Sequence, residues 1–91
     1  MAVQLITYDL HKPGQHYSEL FKAIKALGAW CHCVESVWLV RTNLTTAQVR
    51  DALLAHIDTN DVLVVTALAG NWAASHLDDE RLNWLRTNLA A

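Results

Sequence analysis

The chain has 91 residues, 53% of them hydrophobic and 18% charged, with a formal net charge of −2 when its five histidines are neutral. That length argues for one domain over residues 1–91 and against a multidomain enzyme. The charge excludes the strongly basic balance of a dedicated DNA or RNA binder, though a local patch can still touch phosphates, and protonation of the histidines reverses its sign.

Residues 3–10, "VQLITYDL", form the first predicted strand. Val3, Leu5, Thr7 and Asp9 alternate with Gln4, Ile6, Tyr8 and Leu10, so the strand is apolar on both faces. "HKPG" ends it with two turn residues. Asp9 stands where strand gives way to turn. A carboxylate there can accept backbone N–H groups from the turn, or stay open to hold a cation.

Residues 15–28 follow a helical period, with Tyr17, Leu20, Phe21, Ile24 and Leu27 on one stripe and Gly28 as the stop. Residues 29–36 and 37–42 read as two strands reversing near Glu35-Ser36. Residues 45–57 read as a second helix: Thr45 and Gln48 have capping-box spacing, and Val49, Ala52, Leu53, His56 and Ile57 share a stripe. "DTND" at 58–61 is a turn, and residues 62–70 are the most strand-like segment. Residues 78–90 close the reading as a helix with acids in its first turn and Leu82, Leu85 and Leu89 on one side.

The order β-α-β-β-α-β plus a terminal helix is the ferredoxin-like split pattern within the α+β class. It predicts a four-stranded antiparallel sheet with the first two helices on one face. The opposite face, apolar on the first and last strands, is then expected to meet a second copy. Four tryptophans in so short a chain point the same way, because aromatic area must be buried somewhere.

The same topology aligns Asp9, Glu35, Asp58 and Asp61 along one rim, with His11 and His16 nearby. Hard oxygen ligands at a sheet edge suit Mg²⁺ or Mn²⁺. Lys12, Lys22, Lys25 and Arg41 are the cations available to phosphates. Among the tryptophans, Trp72 in the irregular "GNWAAS" stands out as a candidate base-stacking residue, while Trp30, Trp38 and Trp84 read as core or interface. His56, on a helical apolar stripe, reads as a partly buried histidine bonded to a carbonyl.

"CHC" at 31–33 lacks the second ligand pair of a tetrahedral zinc site. Cys31 and Cys33 read as small core residues, and strand neighbours two apart do not readily pair. No signal peptide is evident at "MAVQLITYDL", so a reducing, cytoplasmic setting with no membrane association is expected. No P-loop or GxGxxG suggests an organic cofactor.

From "LITYDL" and "KPG" through "AWCHCVESVWLVRT", up to about Gly70, the chain resembles the small SinR-like proteins of the CRISPR-associated Cas-two and VapD superfamily. The strand-end "YD" and Trp38, which follows a short hairpin after Trp30, carry the resemblance. It implies a ferredoxin-like homodimer. In the superfamily's nucleases, an aspartate ending the first strand sits near its two-fold mate and holds a divalent metal for phosphodiester hydrolysis; Asp9 matches that position. It therefore implies Asp9 as catalytic and metal-binding residue; Lys12 and Arg41, from the cations above, are the expected nucleic-acid contacts. Other members serve as scaffolds. The competing class is a non-catalytic dimeric interaction module, and a third is a binder of small ligands at the dimer seam.

Overall fold

The computed structural model describes residues 2–11 and 17–89. The elements run β1 (Ala2–Asp9), α1 (Ser18–Lys25), β2 (Ala29–Val34), β3 (Val37–Thr42), α2 (Thr46–Leu54), β4 (Val62–Ala67) and α3 (Asp79–Asn88). The sheet has the order β2-β3-β1-β4 with every neighbouring pair antiparallel. Among the described residues the protein is thus α+β, with a four-stranded antiparallel sheet and three helices. Among the described residues, no helix is long and apolar enough to cross a membrane.

Because β1 is apolar on both sides, it lies between two cores. Ile6 faces α1 and α2, joining Leu20, Ile24, Trp38, Val40, Val49 and Leu53 in the first buried cluster. Tyr17, Phe21 and Leu27 flank that cluster, so the whole α1 stripe read from the sequence is used. Gln4, also buried, is kept satisfied by the Thr46 hydroxyl, which donates to its side-chain oxygen at 3.0 Å.

Val3 points the other way, into a second cluster with Cys31, Leu39, Leu85 and Leu89. This overturns an expectation. The sheet face lacking α1 and α2 is not left bare for another chain: α3 and the segment before it fold back over its β2, β3 and β1 portion. Leu68, Trp72, Leu77 and Trp84 pack around that second cluster, and the Trp72 indole N–H donates to the Leu89 carbonyl at 2.8 Å. Trp72 is therefore a structural tether rather than an exposed stacking platform.

The cover is incomplete. Val62 and Val64 pair across the ladder with Asp9 and Thr7, which puts them on the face of the second cluster. They lie outside it, and each remains 50% exposed. The last strand is thus apolar on both faces, as its composition predicts, but covered on only one.

Local chemistry explains the helix starts. In α2 the capping box is complete: the Gln48 N–H donates to the Thr45 hydroxyl at 3.1 Å, and the Thr45 N–H donates to the Gln48 side chain at 2.9 Å. In α3 the Asp78 carboxylate accepts from the Arg81 N–H at 2.9 Å and from the Arg81 guanidinium at 2.6 Å. The helix α2 stops at Leu54, earlier than the stripe suggested. His56 consequently sits in the following turn, exposed, and its side chain is not the half-buried group expected.

Gly28 is needed for a reason other than helix termination. A Cβ at this position would collide with the Arg41 backbone carbonyl of the adjacent strand. Gly28→Ala should therefore destabilise the protein by about 1–3 kcal/mol through backbone displacement. Leu85→Ala, which hollows the second cluster, should cost about 2–5 kcal/mol. Urea unfolding of each variant checks both values; a neutral Leu85→Ala would mean that α3 does not pack on the sheet.

Candidate functional site

Strand pairing fixes what stands at the rim. Asp9 ends β1 opposite Val62, and the β2–β3 reversal at Glu35-Ser36 lies at the same end of the sheet, since Val37 pairs with Thr7. Tyr8, Asp9, Leu10, Phe21, Glu35 and Ser36 line an open depression there, of about 560 Å³. The Tyr8 hydroxyl anchors its floor, accepting from the Trp38 indole at 3.0 Å and donating to the Glu35 carbonyl at 3.4 Å. Burial pushes the Tyr8 phenol above its ordinary pKa, while the Trp38 hydrogen bond pulls in the opposite direction. Tyr8 therefore stays protonated at neutral pH and serves as a fixed polar strut.

The aspartates of the rim divide two roles. Asp61 holds the turn: it accepts the His11 N–H at 2.8 Å and the Asp58 N–H at 2.9 Å, with the Tyr17 hydroxyl at 3.2 Å from both oxygens. These donors, the His11 N–H foremost, hold its carboxyl below the usual aspartate range. The "HKPG" turn that Asp9 is expected to cap lies, beyond His11, outside the described residues; Asp61 accepts the His11 N–H itself. Asp9 is left solvent-facing, with 73% of its side chain exposed and His11 Nε2 at 3.5 Å.

The remaining candidates scatter. Arg41 pairs with Val3, six residues along β1 from Asp9, which is roughly 20 Å away at the rise of a strand. One short phosphate contact cannot span both. Lys12 and His16, with Pro13 and Gly14 of the predicted turn, lie outside the described residues. Lys22 pairs with Glu19 at 3.4 Å. Lys25 sits over the Trp30 ring, its ammonium 4.9 Å from the centroid. Trp30 is 41% exposed and Trp38 is 2% exposed, so Trp38 is core while Trp30 keeps an accessible face.

The "CHC" segment turns out to be densely tied. His32 stacks on Trp38 at 3.9 Å between ring centroids and 10° between planes. Its Nε2 is 2.9 Å from the Glu35 carbonyl, and its own carbonyl accepts from Arg81 Nε at 2.9 Å. Cys31 and Cys33 lie on the opposite, second-cluster side. Sequence reasoning did not single out Arg81, whose position three residues after an N-cap aspartate reads only as helix chemistry.

Among the described residues, no three His, Cys, Asp or Glu side chains converge to hold a metal ion. Asp9 with His11 makes a carboxylate–imidazole pair, suited to an ionic or hydrogen-bonding contact but short of a ligand set within one chain. No protein-family model matches this chain, and no solved structure matches it.

The Asp61 arrangement gives a pH prediction. A depressed carboxyl pKa contributes stability that is present above the unfolded aspartate pKa and lost as pH falls through the folded one. Melting temperature should thus drop on acidification below the ordinary carboxylate range. Asp61→Asn should lower the melting temperature at neutral pH and flatten that acid-side fall. Thermal melts of wild type and Asp61→Asn across the acid range check this.

Proposed function

We propose that this protein is a non-catalytic, homodimeric interaction module of ferredoxin-like architecture, assembled through the free edge of β4. The sheet order β2-β3-β1-β4, with Leu20 and Ile24 of α1 beside Val49 and Leu53 of α2 in one cluster, supports the architectural part. The observation that carries the rest is the exposure of Val62 and Val64, 50% each, on an edge strand. Its six residues, "VLVVTA", include no charge and no proline. Edge strands that remain alone are ordinarily protected by lysine, proline or a bulge. A second β4 laid antiparallel about a two-fold axis satisfies the unpaired backbone groups on both edges and covers the valines of both copies. The resemblance to small Cas-two-like and SinR-like proteins, some of them scaffolds, supports a homodimer without a catalytic role, though not this particular seam.

This seam separates the two Asp9 carboxylates. Each lies on the strand behind β4, so three inter-strand spacings, roughly 14 Å, lie between them across the sheet alone. That is too far for one hydrated Mg²⁺ or Mn²⁺ to bridge, and it weighs against a shared metal centre. The second reading, a divalent-metal-dependent nuclease or nucleic-acid-binding protein centred on Asp9, is favoured by one observation: 73% of the Asp9 side chain is exposed. It requires a different dimer, with the open parts of the two sheet faces opposed.

The readings separate experimentally. In sedimentation velocity the wild type should run as a dimer, and Val64→Lys as a folded monomer. A monomeric wild type at micromolar concentration would remove the module proposal. Cleavage of single-stranded RNA or duplex DNA that depends on added Mg²⁺ or Mn²⁺ and disappears in Asp9→Asn would establish the nuclease reading instead; inert wild type removes it.

A further inference from the structure

We propose that Cys31 and Cys33 form a thiol–disulfide exchange site that reacts with small disulfides of the glutathione type and closes into an intrachain disulfide. The two sulfurs stand 2.7 Å apart, with both thiols free. A bond requires about 2.05 Å, so closure needs a movement of only a fraction of an ångström.

The strand itself accounts for this closeness. On regular β-structure, residues two apart are separated by roughly 6.7 Å along the strand and their side chains project in parallel. Here Cys31 pairs with Leu39 and Val34 with Val37, so β2 carries one more residue than β3 over this interval. A bulge of this kind bends its strand and re-aims its side chains. It falls on the His32-Cys33 step and turns the two sulfurs toward each other. The expectation that such neighbours do not readily pair holds for an unbroken strand, and this strand is broken at the relevant residue.

The surroundings fix the bulge and distinguish the two sulfurs. His32, between them, is held by its stack on Trp38, by the Glu35 carbonyl and by Arg81. Cys31 is buried in the second cluster, whereas Cys33 is half-buried. Cys33 opens onto an apolar groove of about 390 Å³ between the sheet and the segment leading to α3, lined also by Leu5, Val37, Leu39, Leu68 and Trp72. Burial first, and then the neighbouring Cys33, push the Cys31 thiol up to about 12. Cys33 is accordingly the sulfur that meets the reagent, and Cys31 the one that resolves.

The chemistry balances without a metal or an external catalyst. The Cys33 sulfur attacks one sulfur of the small disulfide RSSR; a Cys33–SR bond forms and one RS⁻ leaves, taking up the Cys33 proton. The Cys31 sulfur then attacks Cys33 Sγ, expelling the second RS⁻, which takes up the Cys31 proton. Two protein thiols and one RSSR become one protein disulfide and two RSH, with two electrons passing to the reagent.

The test uses the full chain, reduced and then freed of reductant, with glutathione disulfide as the probe. Intact mass and thiol alkylation are followed against time under native conditions. The wild type should lose both thiols together, fall in mass by two hydrogens and stay a single chain on a non-reducing gel. Cys31→Ser should stop at one glutathione adduct on Cys33. Cys33→Ser should react about tenfold more slowly, because the remaining thiol is buried. Circular dichroism confirms that each variant is folded, and the wild-type result stands by itself if one is not. Persistence of both thiols, stable glutathione adducts on the wild type, disulfide-linked chains, or ring closure only in denaturant would each overturn the proposal.

Discussion

Burial of β1 on both of its faces is the constraint on which the rest of this protein depends. Ile6 commits one side to α1 and α2, and Val3 commits the other to α3. A strand covered on only one face would leave α3 without a partner and Cys31 without its burial. With both faces used, a chain of 91 residues builds a three-layer arrangement in which a single sheet supports two small cores. This resolves the tension between a highly apolar composition and a short chain. Part of the apolar surface that suggested a partner is absorbed by α3 and the segment before it, while Val62 and Val64 leave an open strip along β4.

That narrowing bears on assembly. A whole bare sheet face would favour a broad face-to-face dimer with its axis near the centre of the sheet. An open strip at one edge favours lateral pairing instead, which extends the sheet and moves the β1 ends apart. In the proposed dimer, the position of Asp9 relative to the two-fold axis would be set indirectly, by where α3 comes to rest. The carboxylate and the terminal helix are far apart in sequence, yet the second controls what the first can meet.

The rim and the "CHC" segment share a physical theme: side chains are assigned to roles by backbone groups that need partners. The His11 and Asp58 N–H groups recruit Asp61. The His32 carbonyl recruits Arg81, which ties the start of α3 to the bulged strand. In the first case the 58–61 turn is tied to the end of β1. In the second, two thiols are brought together on the face opposite a stacked imidazole. Neither arrangement requires unusual residues; each follows from satisfying donors and acceptors near a sheet end.

Local pattern carried the sequence a long way. Period-two alternation marked the strands, the Tyr17-to-Leu27 stripe marked α1, and Thr45 with Gln48 marked the start of α2, because each depends on residues a few positions apart. Element order and the antiparallel sheet followed from these. The sequence also identified Asp9 as a strand-end carboxylate. What the tertiary structure alone decided is which element met which: α3 on the second face, Arg41 far from Asp9, Asp61 on the His11 N–H, and one extra residue in β2 facing β3. Those are matters of register and long-range packing, where the free-energy differences come from contacts between distant segments and leave no periodic trace in the chain.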